Sequence, residues 1–159
     1  VYHLSTLKLT VRQTFFNGII AFKSLSRPAF GIHQAAIFPV YFSLQSFLPI
    51  LVALTGLKSS QSAGDATNIL SHLYWCMATV SIAGLINLII FRPLTRNAVE
   101  ARNLQGLMDR RGNNPHFISP EKKALDRRFK YIHATSICIN FGGLIATGQY
   151  GSILAKLLD

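Results

Sequence analysis

The side chains able to do chemistry in this sequence are sparse and uncharged. Gln34, Asn87, His133, Ser136 and Asn140 each sit in or beside a long apolar stretch. His133 and Asn140 are seven residues apart, and Ser136 and Asn140 four, so on a helix these three share one face. In an apolar medium such residues first of all glue helices together, at roughly 0.6 kcal/mol per interhelical hydrogen bond. The sharper alternative is a substrate or proton path, because polar groups inside membranes often mark one. A coupled proton relay usually has a carboxylate, and none of the uncharged stretches holds one. No nucleophile elbow, phosphate loop or paired carboxylate occurs, so no enzymatic activity is expected. His3, His33, His72, His116 and His133 are scattered, with no two at i, i+4, so neither a metal site nor another cofactor is expected. Cys76 and Cys138 both fall inside apolar segments and read as small packing residues.

The elements that would position these residues are legible from where charge is missing. Half of the residues are hydrophobic and 14% are charged, against about a quarter in ordinary soluble domains. No Asp, Glu, Lys or Arg occurs in 28–57, 66–91 or 131–155. Each window holds the roughly 20 residues that a helix needs to cross about 30 Å of hydrocarbon. A soluble bundle would carry charge on one face of each helix every turn or two. A membrane barrel would alternate in polarity, and the run from Gly84 to Phe91 does not. The expectation is therefore an all-α integral membrane bundle in one domain, with about four spans at 3–26, 34–57, 69–91 and 129–158. The first is interrupted by Lys8, Arg12 and Lys23, the second contains Pro39 and Pro49, and the third ends at Arg92-Pro93. Between the third and fourth runs a basic amphipathic connection, 92–128. Its first part is read as an interfacial helix with Ala98, Ala101, Leu104 and Met108 near one face. Ser119-Pro120 then looks like a helix start, with Ser119 as the cap.

The net charge of +10 is unevenly spread, with ten Lys or Arg between Arg92 and Lys130. Under the positive-inside rule the first and third connections face the cytoplasm, or the matrix in a mitochondrial inner membrane, and both termini face away. Glu100, Asp109, Glu121 and Asp126 interrupt the basic run, so nucleic acid is not expected as a partner. Anionic lipid headgroups explain it better, with Arg110, Arg111, Lys122, Lys123, Arg127 and Arg128 as the contacts. Arg12, if its segment spans, would cost about 2.5–3.5 kcal/mol and needs snorkelling, lipid phosphate or another protein to meet its charge, and an interfacial first helix explains it equally well. Gly143, Thr147 and Gly151 continue the polar face of the last helix as a small-residue stripe against which another helix can pack.

Three motifs carry a resemblance. Phe30, Gly31 and Gln34 form Phe-Gly-x-x-Gln, and Phe38, Pro39, Tyr41 and Phe42 form Phe-Pro-x-Tyr-Phe. Asn87 is followed by Pro93 and Thr95, and His133, Ser136 and Asn140 open the last segment. In these residues the chain resembles the transmembrane protein 205-like family, a eukaryotic membrane domain of largely unassigned function. The resemblance implies four membrane helices with a long third connection, and a location in the endoplasmic reticulum or another endomembrane. The strong basicity makes the mitochondrial inner membrane the alternative. The first segment departs from the family, with Lys8, Arg12 and Gln13 where members tend to carry Gly and Trp. The expected function is a small non-catalytic accessory subunit that packs against other membrane protein subunits of a larger complex. A transport or export protein using the polar cluster is the alternative.

Overall fold

Helix formers and long apolar runs dominate the chain, and the computed structural model is helical almost throughout the residues that it describes, 18–56, 66–111 and 117–158. No strand occurs among them. In order come helical residues 18–24 (α1), Arg27–Gly56 (α2), Ala66–Ile86 (α3), a π-helical turn Asn87–Phe91, Arg92–Arg110 (α4) and Pro120–Leu158 (α5). The chain forms two compact units, Val1–Val40 and Tyr41–Asp159. Two stretches, Arg27–Leu54 and Ile69–Arg110, are long and apolar enough to cross a membrane. α5 gathers its charge before Tyr131, Lys156 apart, and is diluted in hydropathy by Ser, Thr, Asn and Gly in its second half. Lys8, Arg12 and Gln13 lie outside the described residues.

In the first unit Phe22 of α1 packs edge-on against Phe30 of α2, ring centroids 5.3 Å apart. Pro28 fits the first turn of α2, where its missing N–H is not needed. Gln34 is half-buried within this unit.

The second unit is built on an antiparallel hairpin. The half-buried or buried residues of α5 include Lys122, Leu125, Phe129, Ile132, Ser136, Ile139, Gly143, Ala146, Tyr150 and Ile153. Their spacing alternates between three and four without a break, which is the pattern of a helix presenting one seam to a partner. That partner is α3 along the second half of α5 and α4 along the first. On α3 the matching residues are Leu73, Cys76, Val80, Ala83 and Asn87, again in steps of three and four. Beyond Asn87 the next seam residues are Phe91, Thr95, Ala98, Arg102, Gln105 and Asp109. An uninterrupted α-helix would have brought Ile90, Leu94 and Asn97 inward instead, and all three are exposed. The π turn inserts one extra residue and so resets the face that α4 shows to α5.

This overturns two sequence expectations. The helix of the third segment does not stop at Arg92-Pro93: it continues, because the π turn lets Arg92 N–H reach back to the Asn87 carbonyl ahead of Pro93, which has no N–H. Ala98 faces α5, while Leu104 and Met108 point outward, so Ala98 does not share one face with them as was expected. Because one continuous helix packs on both α3 and α4, α4 runs on along the axis of α3.

α5 starts as expected. The Ser119 hydroxyl accepts the Lys122 N–H at 3.1 Å, and Pro120 is the first helical residue. Ser119 also closes the hairpin: its N–H and its hydroxyl both donate to Asp109, at 3.1 and 3.0 Å. Ser119→Ala removes both the cap and one strand of this tie. Loss of a cap costs about 1 kcal/mol, so tryptic cleavage after Arg111 is expected to quicken by roughly fivefold. An unchanged rate would show that the tie does not hold the hairpin shut.

Candidate functional site

Asn87 is the largest side chain with no solvent exposure, and the next is Ser46, so the most deeply buried side chains are polar. Outside, by contrast, Trp75 is 70% exposed and Ile89 66%. Asn87 opens the π turn and its groups are used within the chain. Its Nδ2 donates to the Ala83 carbonyl at 3.0 Å, and its Oδ1 accepts the Ser136 hydroxyl at 2.6 Å. This is a bond between α5 and the turn that sets the register of α4.

One level away the three helices come closest. A Cβ on Gly84 would lie 2.6 Å from Ser46 Oγ and 2.9 Å from its backbone N, so α2 and α3 meet at nearly backbone distance. A Cβ on Gly143 would stand 2.8 Å from Gln45 Nε2 and 3.3 Å from the Ala83 Cβ. Ser46 bonds back to the Phe42 carbonyl at 2.6 Å. Tyr41 donates a long 3.4 Å hydrogen bond to Asn140 Oδ1, tying α2 to α5. Gln45 Oε1 and Ser81 Oγ are buried without a hydrogen-bond partner among the described residues.

His133 belongs to a different group. Its ring stacks on Phe129 at 5.5 Å and 9°, and the Arg102 guanidinium lies 4.4 Å from the centre of the same Phe129 ring. Arg102 pairs with Asp126 at 2.7 Å, and Lys122 reaches Asp126 at 3.3 Å and the Arg102 carbonyl at 2.8 Å. The five polar residues singled out in the sequence therefore separate. Asn87 and Ser136 bond to each other, Asn140 to Tyr41, His133 stacks on Phe129, and Gln34 lies in the other unit.

The small-residue stripe also divides. Gly143 is buried with Ala146, whereas Thr147 and Gly151 are exposed on the outer side of α5, next to Gly148. A Cβ at Gly148 or Gly151 would meet nothing within 4 Å. The Thr147 and Ser152 hydroxyls bond back to the Gly143 and Gly148 carbonyls, at 2.9 Å each. Of the basic residues, Arg110, Arg111, Lys123, Arg127 and Arg128 are exposed, and Lys122 is held as described. No cluster of three or more metal-ligating side chains occurs among the described residues.

A domain of unknown function, DUF4149, matches residues 9–104. The chain belongs to this family. The DUF4149 match covers α2, α3, the π turn and most of α4, and so includes Gln34, Tyr41, Gly84 and Asn87, while Ser136, the partner of Asn87, and Asn140, the partner of Tyr41, lie beyond it on α5. No curated protein and no solved structure shows a significant match.

Several features of this DUF4149 chain escaped the sequence reading. Ser46 and Gln45 carry no motif, although Ser46 with Phe42 and Pro49 does repeat at helical spacing. His72 and Cys76 are at i, i+4 and line a groove of about 580 Å³ with Gly148, Gln149, Ser152 and Ile153. The Arg102–Asp126–Lys122 group was hidden in a mixed run of charge that does not show which residues pair.

Proposed function

We propose that this protein is a non-catalytic subunit held in a bilayer by four helices and packed against other membrane proteins. The inverted burial supports the bilayer: in water, large apolar side chains would be inside and the amide of Asn87 outside. The observation that carries the subunit reading is the outer face of α5. Gly148 and Gly151 are open there, with the neighbouring hydroxyls already bonded to their own helix, so a second helix can approach closely without stranding a polar group. The resemblance to the transmembrane protein 205-like family supports an endomembrane location, and the basicity of 92–130 supports the mitochondrial inner membrane as the alternative. Exposed Arg127 and Arg128, one turn before the charge-free segment at Tyr131, support contact with anionic headgroups.

The test is affinity purification of the full chain in mild detergent, with Gly148→Leu, Gly151→Leu as the variant. A stoichiometric set of partners is expected with the wild type, reduced at least about fivefold in the variant, since two leucines hold a helix away. Recovery of the wild type alone would sink the subunit reading. It would favour the second one, a solute path, which the unpartnered Gln45 Oε1 and Ser81 Oγ support.

A further inference from the structure

We propose that the exposed face formed by Leu104, Leu107 and Met108 of α4, with Phe117 and Ile118 before α5, is a docking surface for an acidic amphipathic helix of a partner protein. Leu104, Leu107 and Met108 are each more than half exposed and, at spacings of three and four, occupy one face of α4. Phe117 and Ile118 are as exposed and lie at the same end, because Ser119 is bonded to Asp109. The opposite face of α4 is polar and engaged: Arg102 with Asp126, and Gln105 with Asp109 and Ser119. At this end the hairpin is packed through Arg102, Gln105 and Asp109 and shows Leu104, Leu107 and Met108 outward, beside exposed Asn103 and Arg110.

Taking Phe91, the end of the charge-free window 66–91, as the edge of the hydrocarbon places this face beyond the lipid. α4 continues along α3, and Leu104 is 13 residues past Phe91, roughly 19 Å at about 1.5 Å per residue. The headgroup layer adds only about 5–8 Å on each side of the hydrocarbon. Even a helix tilt of about 40° leaves Leu104 near 15 Å, in water. A second copy of the chain is disfavoured by charge. Between Arg92 and Lys130 there are ten Lys or Arg against four Asp or Glu. Of those four, Glu100 is paired to Arg96, Asp126 to Arg102 and Lys122, and Asp109 is bonded to Ser119. Arg110 and Arg111, exposed and without an ion pair among the described residues, flank the apolar patch. A partner helix with leucine-like anchors at i, i+3, i+4 and acidic flanks matches both features.

This inference rests on the subunit reading, and the experiment separates the two. The full chain in nanodiscs of zwitterionic lipid is titrated with a synthetic amphipathic peptide carrying Leu at i, i+3, i+4 and i+7 and Glu on its flanks. A second peptide carries Lys in place of Glu. The Glu peptide is expected to bind at least about tenfold tighter, with Leu107→Asp abolishing the binding and Arg110→Glu, Arg111→Glu reversing the preference between the peptides. Equal binding of both peptides, or binding unaffected by Leu107→Asp, would overturn the proposal. So would nanodiscs that instead capture anionic vesicles through Leu107, which would make the patch a lipid-binding surface. If subunits co-purify with the wild type while neither peptide binds it, this inference fails and the subunit reading stands.

Discussion

Inserting one alanine after Asn97 is expected to detach α4 from α5 while leaving α3 in place. Each added residue rotates the rest of a helix by about 100°. Arg102, Gln105 and Asp109 would turn away from α5, and Ala101, Leu104 and Met108 would turn towards Lys122 and Asp126. Three ties go: Arg102 to Asp126, Lys122 to the Arg102 carbonyl, and Asp109 to Ser119. These groups are partly exposed, so each is worth about 1 kcal/mol and the loss is about 3 kcal/mol. Amide hydrogen exchange should accelerate across 98–110 and 120–130 and stay slow across 69–86. The informative counterpart removes a residue. Deleting Ile89 together with Pro93→Ala turns the π turn into ordinary α-helix, and the seam from Asn87 through Phe91, Thr95 and Ala98 becomes an unbroken alternation of three and four. That variant is expected to keep α4 as protected as in the wild type. If the insertion were tolerated and the deletion were not, the register account of the π turn would be wrong.

Asn87→Leu should be the most damaging single substitution in the apolar region. Leucine fills much of the same space, but it leaves the Ser136 hydroxyl and the Ala83 carbonyl without their amide partner. Interhelical bonds in membrane proteins reach about 1.7 kcal/mol, and a stranded buried hydroxyl adds a penalty of its own, so a loss of about 2 kcal/mol is expected. Denaturation by SDS in mixed micelles reads it. Ser136→Ala alone should cost about 1 kcal/mol, and adding it to Asn87→Leu should cost little more, because the bond is already gone. Strictly additive losses would mean that the two side chains do not act on each other.

The helical architecture was legible because charge is costly in apolar surroundings: the windows free of Lys, Arg, Asp and Glu mark α2, α3 and the second half of α5. The start of α5 was legible because Ser119 and Pro120 satisfy the chemistry of a helix beginning. The π turn was not. Arg92-Pro93 carries the signal of a helix end, and nothing local reveals that a widened turn lets the helix pass through. Since that turn shifts every later residue by one position, the faces of α4 were misread as well, and Ala98 was grouped on one face with Leu104 and Met108. Asn87 and Ser136 were legible as polar residues at helical spacing. Their grouping with His133, Asn140 and Gln34 was only partly so, because position along a helix was known but rotation about it was not. Gly143, Thr147 and Gly151 suffered the same way, one turned inward and two outward.

The close meeting of Gly84 and Gly143 with α2 has a mechanical consequence. There α2 and α3 touch almost backbone to backbone at Gly84, and α5 presents Gly143 at close range to the end of Gln45 and the Ala83 methyl. Elsewhere along α5 the seam is cushioned by Phe129, Ile132, Tyr150 and Ile153. A rod gripped tightly at one level and loosely at its ends pivots at the grip. From Gly143 back to Ser119 is 24 residues, roughly 36 Å of lever, so a rotation of about 5° carries the hairpin tip about 3 Å. The shorter arm, from Gly143 to Ile153, swings the opposite way past His72 and Cys76. A load on the tip is thus delivered, reduced and reversed, to the groove at the far end of the same helix.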